Sequence, residues 1–224
     1  MKTKRPYSIL GAIPIIIVLL FGVISAYNNN ISPNFLLTNV LALCVFCYLD
    51  IYIHEIGHVI AARLVGVGVT GVIIGNGKEL FRKTVFGIPL VVTNGFGVGF
   101  TLMGQIDGNF LKLRYSFIIL GGVLFQFLLT AACFAILGTK DFAYLYAQGI
   151  SISTMFIISN VLMILTNLFP FNINCYGLRI PNDGLKLLKV PFGKVKDLMD
   201  SDETRLFELI RSKIEKADNA TQNN

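Results

Sequence analysis

Charged side chains are scarce in this chain. Asp, Glu, Lys and Arg make up 14% of its 224 residues, whereas about a quarter of the residues of a typical soluble domain are charged. Hydrophobic residues make up 54%. This composition excludes an ordinary soluble domain and predicts an integral membrane protein. The net charge of +6 therefore does not by itself indicate a nucleic-acid partner.

Cysteines are also few, and they form no disulfide framework. The chain has four, and two of them, Cys44 and Cys47, have Cys-x-x-Cys spacing. That pair falls in an apolar helix, with no βαβ pattern and no second pair nearby. This apolar context favours small packing residues over a redox or metal motif.

Histidine is the rarest of the metal-binding residues. The chain has two, His54 and His58, which flank Glu55 in a His-Glu-x-x-His pattern. On a helix, positions i and i+4 lie on one face, so both imidazoles can converge on one metal ion. Glu55 stands beside them, where a carboxylate can take a proton from water activated by that metal. If the histidines were unrelated core residues, a glutamate would still lie in hydrocarbon, where ionisable groups are costly and usually functional.

Four apolar segments are long enough to cross a bilayer: residues 8–26, 35–65, 115–137 and 149–169. About twenty residues rising 1.5 Å each match a hydrocarbon core of roughly 30 Å. The first segment also resembles a cleaved signal peptide, but its apolar stretch is longer than a usual signal core, which favours a retained helix. The sequence therefore predicts an α-helical integral membrane protein with about four transmembrane helices.

Residues 67–103, between the second and third helices, are rich in β-branched side chains and predict a small β-sheet at the membrane surface. The Asn-Gly pairs at 76–77 and 94–95 are strong hairpin signals. Residues 66–71 fit Gly-x-Gly-x-x-Gly, but they follow a helix and open none, which excludes a dinucleotide site. An edge strand of the sheet could pair with an extended substrate or, equally, cap the structure.

The whole chain is predicted to form one polytopic domain. The fourth helix breaks at Asn-Leu-Phe-Pro, residues 167–170, and a break at membrane depth is tolerated only where protein or a polar cavity covers the backbone. A short helix is predicted at 185–190, and an amphipathic helix at 206–214. The predicted parts are a first helix and loop (1–34), the histidine helix (35–65), a β-hairpin region (66–112), two helices with an Asp-Gly motif (115–190) and a cytoplasmic tail (191–224).

The basic residues predict the topology. Of nineteen Lys and Arg, three lie in the amino terminus, six between 63 and 114, nine between 179 and 216, and Lys140 stands alone. With four spans, the three larger groups share one side, which the positive-inside rule makes cytoplasmic. From the helical rise, His58 and His54 lie about 7 Å and about 13 Å below Arg63. A metal bound there would lie near the cytoplasmic face.

A catalytic zinc needs a third protein ligand and an open position. With no third histidine, that ligand must be an acid or a cysteine, and the acids near the membrane are Asp50, Asp107, Asp141 and Asp183. Asp50 shares the histidine helix, where it either orients a ligand histidine or faces a cavity as a helix polar group. Asp141 falls on the wrong side, and Asp107 lies in a turn expected to be exposed. Asp183 follows the helix break on the correct side and is our prediction.

These motifs resemble those of the site-2 protease family of intramembrane zinc metalloproteases, in particular compact bacterial members without a PDZ domain. His-Glu-Ile-Gly-His followed by Ala-Ala-Arg, at 54–63, resembles the family's first motif. Residues 167–170 with Asp183-Gly184 resemble its second, in which the aspartate is the third zinc ligand. The surface sheet between the second and third helices is also expected there. The resemblance covers roughly residues 36–190.

The resemblance implies hydrolysis of a peptide bond in or near the transmembrane segment of a membrane protein or peptide. One zinc ion would be held by His54, His58 and Asp183, with Glu55 moving the proton. Gln126 stands where the family has an asparagine on the third helix. The expected donors to substrate or oxyanion are Gln126, Asn160 and Asn167.

Two other functions fit parts of the sequence. One is a non-catalytic regulator that binds membrane peptides on the same fold, although a binding module gains little from a buried base at Glu55. The other is a metal or proton transporter, since buried histidines and acids also line ion paths. The sequence has one polar cluster and no inverted repeat, and both features make a transporter the less favoured of the alternatives.

Overall fold

A computed structural model describes residues 32–95, 97–106, 108–137, 152–175 and 178–195, together with the single positions 16, 20, 24, 27 and 30. Several predictions lie outside the described residues: most of the first helix at 8–26, the loop at 138–148, Asp107, Asp141 and the tail helix at 206–214. The described elements are the helices α1 (Pro33–Leu64), α2 (Leu111–Leu137), α3 (Ile152–Leu168) and α4 (Asp183–Lys189), and the strands β1 (Val69–Ile74), β2 (Glu79–Val85), β3 (Ile88–Thr93), β4 (Gly99–Met103), β5 (Asn172–Cys175) and β6 (Leu178–Pro181).

Helix α1 carries the histidine motif and has clear signals at both ends. It begins at Pro33, whose fixed φ suits the first turn of a helix. It ends before Gly66, which has a φ of +72° that a glycine adopts without strain. The amide of Val67 then donates to the carbonyl of Ala62 at 2.8 Å, which closes the last turn. The prediction of a helix over 35–65 is confirmed.

Two described helices, Pro33–Leu64 and Leu111–Ile136, are long and apolar enough to cross a bilayer. Only 17% and 33% of the most apolar stretch of each helix is buried inside the protein. The core helix of a soluble protein, in contrast, would be mostly buried. Large apolar side chains instead face outward from α1 at intervals of four or seven residues, at Leu37, Leu41, Val45, Leu49, Ile56, Ile60 and Leu64. Helix α3 is apolar and shorter, with 17 described residues.

The predicted β-region forms a four-stranded sheet in the order β2-β3-β1-β4. Strand β1 pairs parallel with β3 and antiparallel with β4. Neither Asn-Gly pair therefore closes a hairpin, because β1 is no neighbour of β2, and β3 is no neighbour of β4. This part of the prediction was wrong. The two Asn-Gly turns pack on each other instead, since the amide of Lys78 donates to the Asn94 side chain at 2.8 Å.

The hairpin that the sheet does contain joins β2 to β3. Its turn is Phe86-Gly87, with φ values of +49° and +78°. Positive φ at both central positions gives the twist that a two-residue hairpin needs. Phenylalanine is uncommon in that conformation, so the turn carries little sequence signal.

After α3, the chain forms a second small sheet rather than the predicted loop. Strands β5 and β6 pair antiparallel. Their buried side chains Cys175 and Ile180 pack against Ile73, Phe100 and Leu102 of the large sheet. The hairpin thus connects the end of α3 to the start of α4 while it stays attached to β1 and β4.

Helices α1 and α2 approach each other closely through three glycines. A Cβ added at Gly57 would lie 2.5 Å from the carbonyl oxygen of Gly121, and one added at Gly122 would lie 2.5 Å from the His54 ring. Both distances are far below van der Waals contact, so only glycine permits this approach. The prediction that the Gly121-Gly122 pair allows close helix packing is confirmed.

Candidate metal centre

The motif on α1 brings two imidazoles together on its buried face. The Nε2 atoms of His54 and His58 lie 3.0 Å apart. Glu55 is buried beside them, and ligand atoms of these three residues lie within 4.8 Å of one another. The group His54, Glu55 and His58 could therefore hold a metal ion.

Asp183 reaches the same point from the start of α4. Its Oδ2 lies 2.9 Å from Nε2 of His54 and 3.1 Å from Nε2 of His58. Three potential ligand atoms thus converge from two segments 129 residues apart.

The hydrogen-bond partners of the two Nδ1 atoms determine which ring nitrogens face the centre. Nδ1 of His58 lies 2.8 Å from the carbonyl oxygen of Ile118, which can only accept, so this nitrogen carries the proton. Nδ1 of His54 lies 3.0 Å from Oε1 of Gln126. The amide nitrogen of Gln126 faces the backbone carbonyl of Asp50 at 3.5 Å, so its Oε1 is the atom that accepts from His54. When both rings are neutral, each therefore directs an Nε2 lone pair inward.

Two lone pairs and a carboxylate oxygen facing one another about 3 Å apart repel unless a cation lies among them. Nitrogen and oxygen ligands bind zinc at about 2.0–2.2 Å in a tetrahedron, which corresponds to ligand separations of about 3.3–3.6 Å. The observed separations, 2.9 to 3.1 Å, are slightly shorter than that range. The donor set and its tautomers therefore fit a divalent metal ion.

Glu55 is held by strand β4 rather than by its own helix. The hydroxyl of Thr101 donates to Oε2 of Glu55 at 2.6 Å. Two residues earlier, a Cβ added at Gly99 would lie 2.5 Å from Oε1 of Glu55. Side chains at i and i+2 share one face of a strand, so this face of β4 both orients the carboxylate and leaves room for it.

Two small cavities open beside these groups. The larger, about 60 Å³, is lined by residues of α1, β4, α3 and α4, and the smaller, about 30 Å³, by residues of α1, β4, α2 and α4. Both are lined by Glu55, Gly99, Phe100, Asp183 and Lys186. In the described part of the chain, the Glu55 carboxylate, the ligand candidate Asp183 and the positively charged Lys186 therefore border both cavities.

Asn182 places Asp183 at the centre. Its Oδ1 accepts from the amides of Phe171 and Leu185 at 3.0 and 3.1 Å. Its Nδ2 donates to backbone carbonyls at the end of α3, including that of Phe169 at 2.6 Å. Asn182 is thus the N-cap of α4 and also joins α4 to the broken end of α3.

The three amide candidates lie in different places. Gln126 is fully buried behind His54, and Asn160 is fully buried on α3 with its Nδ2 donating to its own helix at Phe156. Neither lines a cavity described above. Asn167 lines the larger cavity, while its Nδ2 donates to Met163 at 3.0 Å.

Asp50 does not orient a histidine, because Gln126 occupies Nδ1 of His54. It is fully buried, and neither of its carboxylate oxygens has a hydrogen-bond partner within the described residues. The nearby Ser159 hydroxyl donates to the Phe156 carbonyl at 2.8 Å.

Comparison with known proteins adds no assignment. No protein-family model matches the chain, and no curated protein sequence matches it significantly. The interpretation of this centre therefore depends on its geometry.

The sequence did not reveal four residues that shape the centre: Gly99, Thr101, Asn182 and Lys186. Asn182 was detectable, since asparagine before Asp-Gly is a strong N-cap signal, and Lys186 lies three helical positions after Asp183. Thr101 and Gly99 had no local signal, because their contact with Glu55 spans more than forty residues and depends on how β4 packs.

Proposed function

We propose that this protein is an intramembrane zinc metalloprotease of the site-2 protease type, which hydrolyses a peptide bond in or near the membrane-spanning segment of another protein or peptide. The observation that carries the proposal is the meeting of Asp183 with His54 and His58 at one point, with Glu55 beside them. The two described helices able to cross a bilayer support a membrane location.

His54, His58 and Asp183 would hold the zinc ion, and Glu55 would remain outside the ligand set. Oδ2 of Asp183 faces both Nε2 atoms, whereas Oε2 of Glu55 accepts a short hydrogen bond from Thr101. When bound, the ion would supply Lewis-acid polarisation of a carbonyl and acidification of water.

The chain's own residues would position and move the proton. Thr101 fixes Oε2 of Glu55, which leaves Oε1 on the side of Gly99 and the cavities. From there Glu55 would accept a proton from water as the water oxygen bonds to the carbonyl carbon. It would return that proton to the amine as the C–N bond breaks.

Substrate would enter in an extended form beside β4. This strand ends the sheet order on the side of α1, and its residues Gly99 and Phe100 line both cavities. An edge strand can pair with an added peptide through backbone hydrogen bonds. Such pairing would present a carbonyl that a helical substrate hides in its own hydrogen bonds.

The test is Glu55→Gln in the full chain, assayed on a membrane-tethered peptide reporter. We expect cleavage to fall about 10²- to 10⁴-fold, because the variant loses its proton acceptor, while zinc content stays unchanged. Glu79→Gln, the same substitution on the exposed strand β2, is the control and should cut normally. Undiminished cutting by Glu55→Gln would refute the protease assignment, and zinc binding without cutting by the wild type would favour a non-catalytic regulator.

A further inference from the structure

Three phenylalanines with almost fully exposed side chains lie near one end of the two helices that are long enough to cross a bilayer. Phe86, Phe110 and Phe192 are 89%, 78% and 92% exposed, the highest values for phenylalanine among the described residues. Phe86 is in the turn between β2 and β3, Phe110 precedes α2, and Phe192 follows α4. A phenylalanine ring left in water forgoes the free energy of burial, so three of them together indicate a surface that something covers.

The first of these phenylalanines is tied to the end of α1. Arg63, in the last turn of that helix, donates from Nη2 to the carbonyl of Phe86 at 3.0 Å. Leu64 beside it is 73% exposed and is the last member of the apolar stripe on the outside of α1. The turn that carries Phe86 is therefore held close to the level at which this stripe ends.

The other two phenylalanines lie by the start of α2. Phe110 directly precedes the helix. Arg114, in the first turn of α2, donates to the carbonyl of Val65 at 2.6 Å, which joins the start of α2 to the end of α1. Lys112 donates at 2.8 Å to the carbonyl of the residue before Phe192, which brings that segment to the same place. All three phenylalanines therefore border one end of the helix pair.

Two further properties distinguish these phenylalanines from scattered surface residues. Phe86 and Phe110 have φ values of +49° and +57°, which are uncommon for a bulky residue and often mark a functional surface. The segments 63–65, 110–114 and 189–194 hold five basic residues and no acidic one. Exposed aromatic rings next to positive charge, at the end of an apolar helix, are typical of a surface in contact with phospholipid headgroups.

We propose that Phe86, Phe110 and Phe192 form a collar that inserts into the interfacial region of the bilayer leaflet around the ends of α1 and α2, where the neighbouring basic side chains meet headgroup phosphates. The bilayer covers this surface because the collar continues the outward apolar surface of both helices. Since His58 lies about 7 Å along α1 from Arg63, the collar sets the depth of the metal centre in the membrane. This inference goes beyond the proposed function and depends only on α1 and α2 crossing the bilayer.

The test uses the lack of tryptophan in the chain, which makes a tryptophan placed in the collar a unique fluorophore. Full-length Phe86→Trp, Phe110→Trp and Phe192→Trp are reconstituted into phosphatidylcholine vesicles whose acyl chains carry bromine either near the headgroup or near the bilayer centre. We expect each tryptophan to lose most of its emission to bromine near the headgroup and little to bromine near the centre. Aqueous acrylamide should quench each one much less than it quenches N-acetyltryptophanamide in buffer.

Phe127→Trp is the matched control, because it is the same substitution at an exposed position near the middle of α2. It should be quenched most by bromine near the bilayer centre. Leu64→Trp and Leu113→Trp, at exposed positions on regular helix near the collar, probe the same level without changing a turn of positive φ. They should give the same result as the collar positions.

Collar tryptophans that acrylamide quenches as readily as N-acetyltryptophanamide, in a protein whose Phe127→Trp is quenched from the bilayer centre, overturn this inference alone. Collar tryptophans that neither acrylamide nor lipid bromine quenches would show that protein covers this surface, and they also contradict the inference. If brominated lipid quenches neither the collar nor the Phe127→Trp control, the membrane location is refuted together with the collar.

Discussion

At the scale of single residues, the tautomers of two histidines decide what the centre can bind. Each Nδ1 faces an acceptor, Gln126 for His54 and the Ile118 carbonyl for His58. Such outer partners commonly fix the orientation of metal-binding histidines. The spacing of the motif predicted that both rings share a face, but the identity of these partners depends on the packing of α2 and was beyond sequence reasoning.

Replacing Gln126 separates the role that the geometry indicates from the one that the sequence suggested. Gln126→Leu removes the acceptor behind His54, and we expect zinc affinity to fall about 10- to 100-fold, measured by competition with a fluorescent chelator. Gln105→Leu, at an exposed position, is the control. If Gln126→Leu keeps full zinc affinity but loses turnover at saturating zinc, Gln126 contacts the substrate instead.

At the scale of elements, the sequence predicted which segments form helices and strands better than it predicted their neighbours. The bounds of α1 and α2 were predicted to within a few residues, and the strands of the large sheet lie within the predicted β-region at 67–103. The strand order was not predicted, because an Asn-Gly pair indicates a tight turn but does not show whether the two strands that flank the turn pair with each other. Strands β5 and β6 were missed because four residues each give too short a pattern to distinguish from a loop.

The joint between α3 and α4 is the element-scale feature on which Asp183 depends. Asn182→Ala removes the N-cap of α4 and the donor to three carbonyls at the end of α3. We expect a loss of about 2 kcal/mol, or roughly 4–8 °C in Tm, together with weaker zinc binding because Asp183 is displaced. Thermal unfolding in detergent, with and without zinc, measures both effects.

Asn174→Ala on the neighbouring strand β5 provides the control, since that side chain forms no hydrogen bond within the described residues. It should leave Tm and zinc affinity close to the wild-type values. Equal effects of the two substitutions would show that the joint does not depend on Asn182.

At the scale of the whole molecule, the outward face of α1 determines where the protein resides. An apolar stripe on the outside of a soluble protein would be left in water, whereas in a bilayer it contacts lipid. We expect the full chain to stay with the membrane fraction after washing with alkaline carbonate and to be released by detergent. Release into the aqueous fraction by carbonate alone would contradict a membrane-spanning α1.

The most direct test of the metal centre is the zinc content of the purified, folded full-length chain, measured by plasma mass spectrometry beside His54→Ala, Asp183→Ala and the control Glu79→Ala. Ligands that converge from α1 and α4 predict about one zinc per chain in the wild type and the control, and almost none in the other two variants. A folded wild-type chain without bound metal, or an Asp183→Ala variant that keeps its full complement, would contradict a zinc site shared by these two segments.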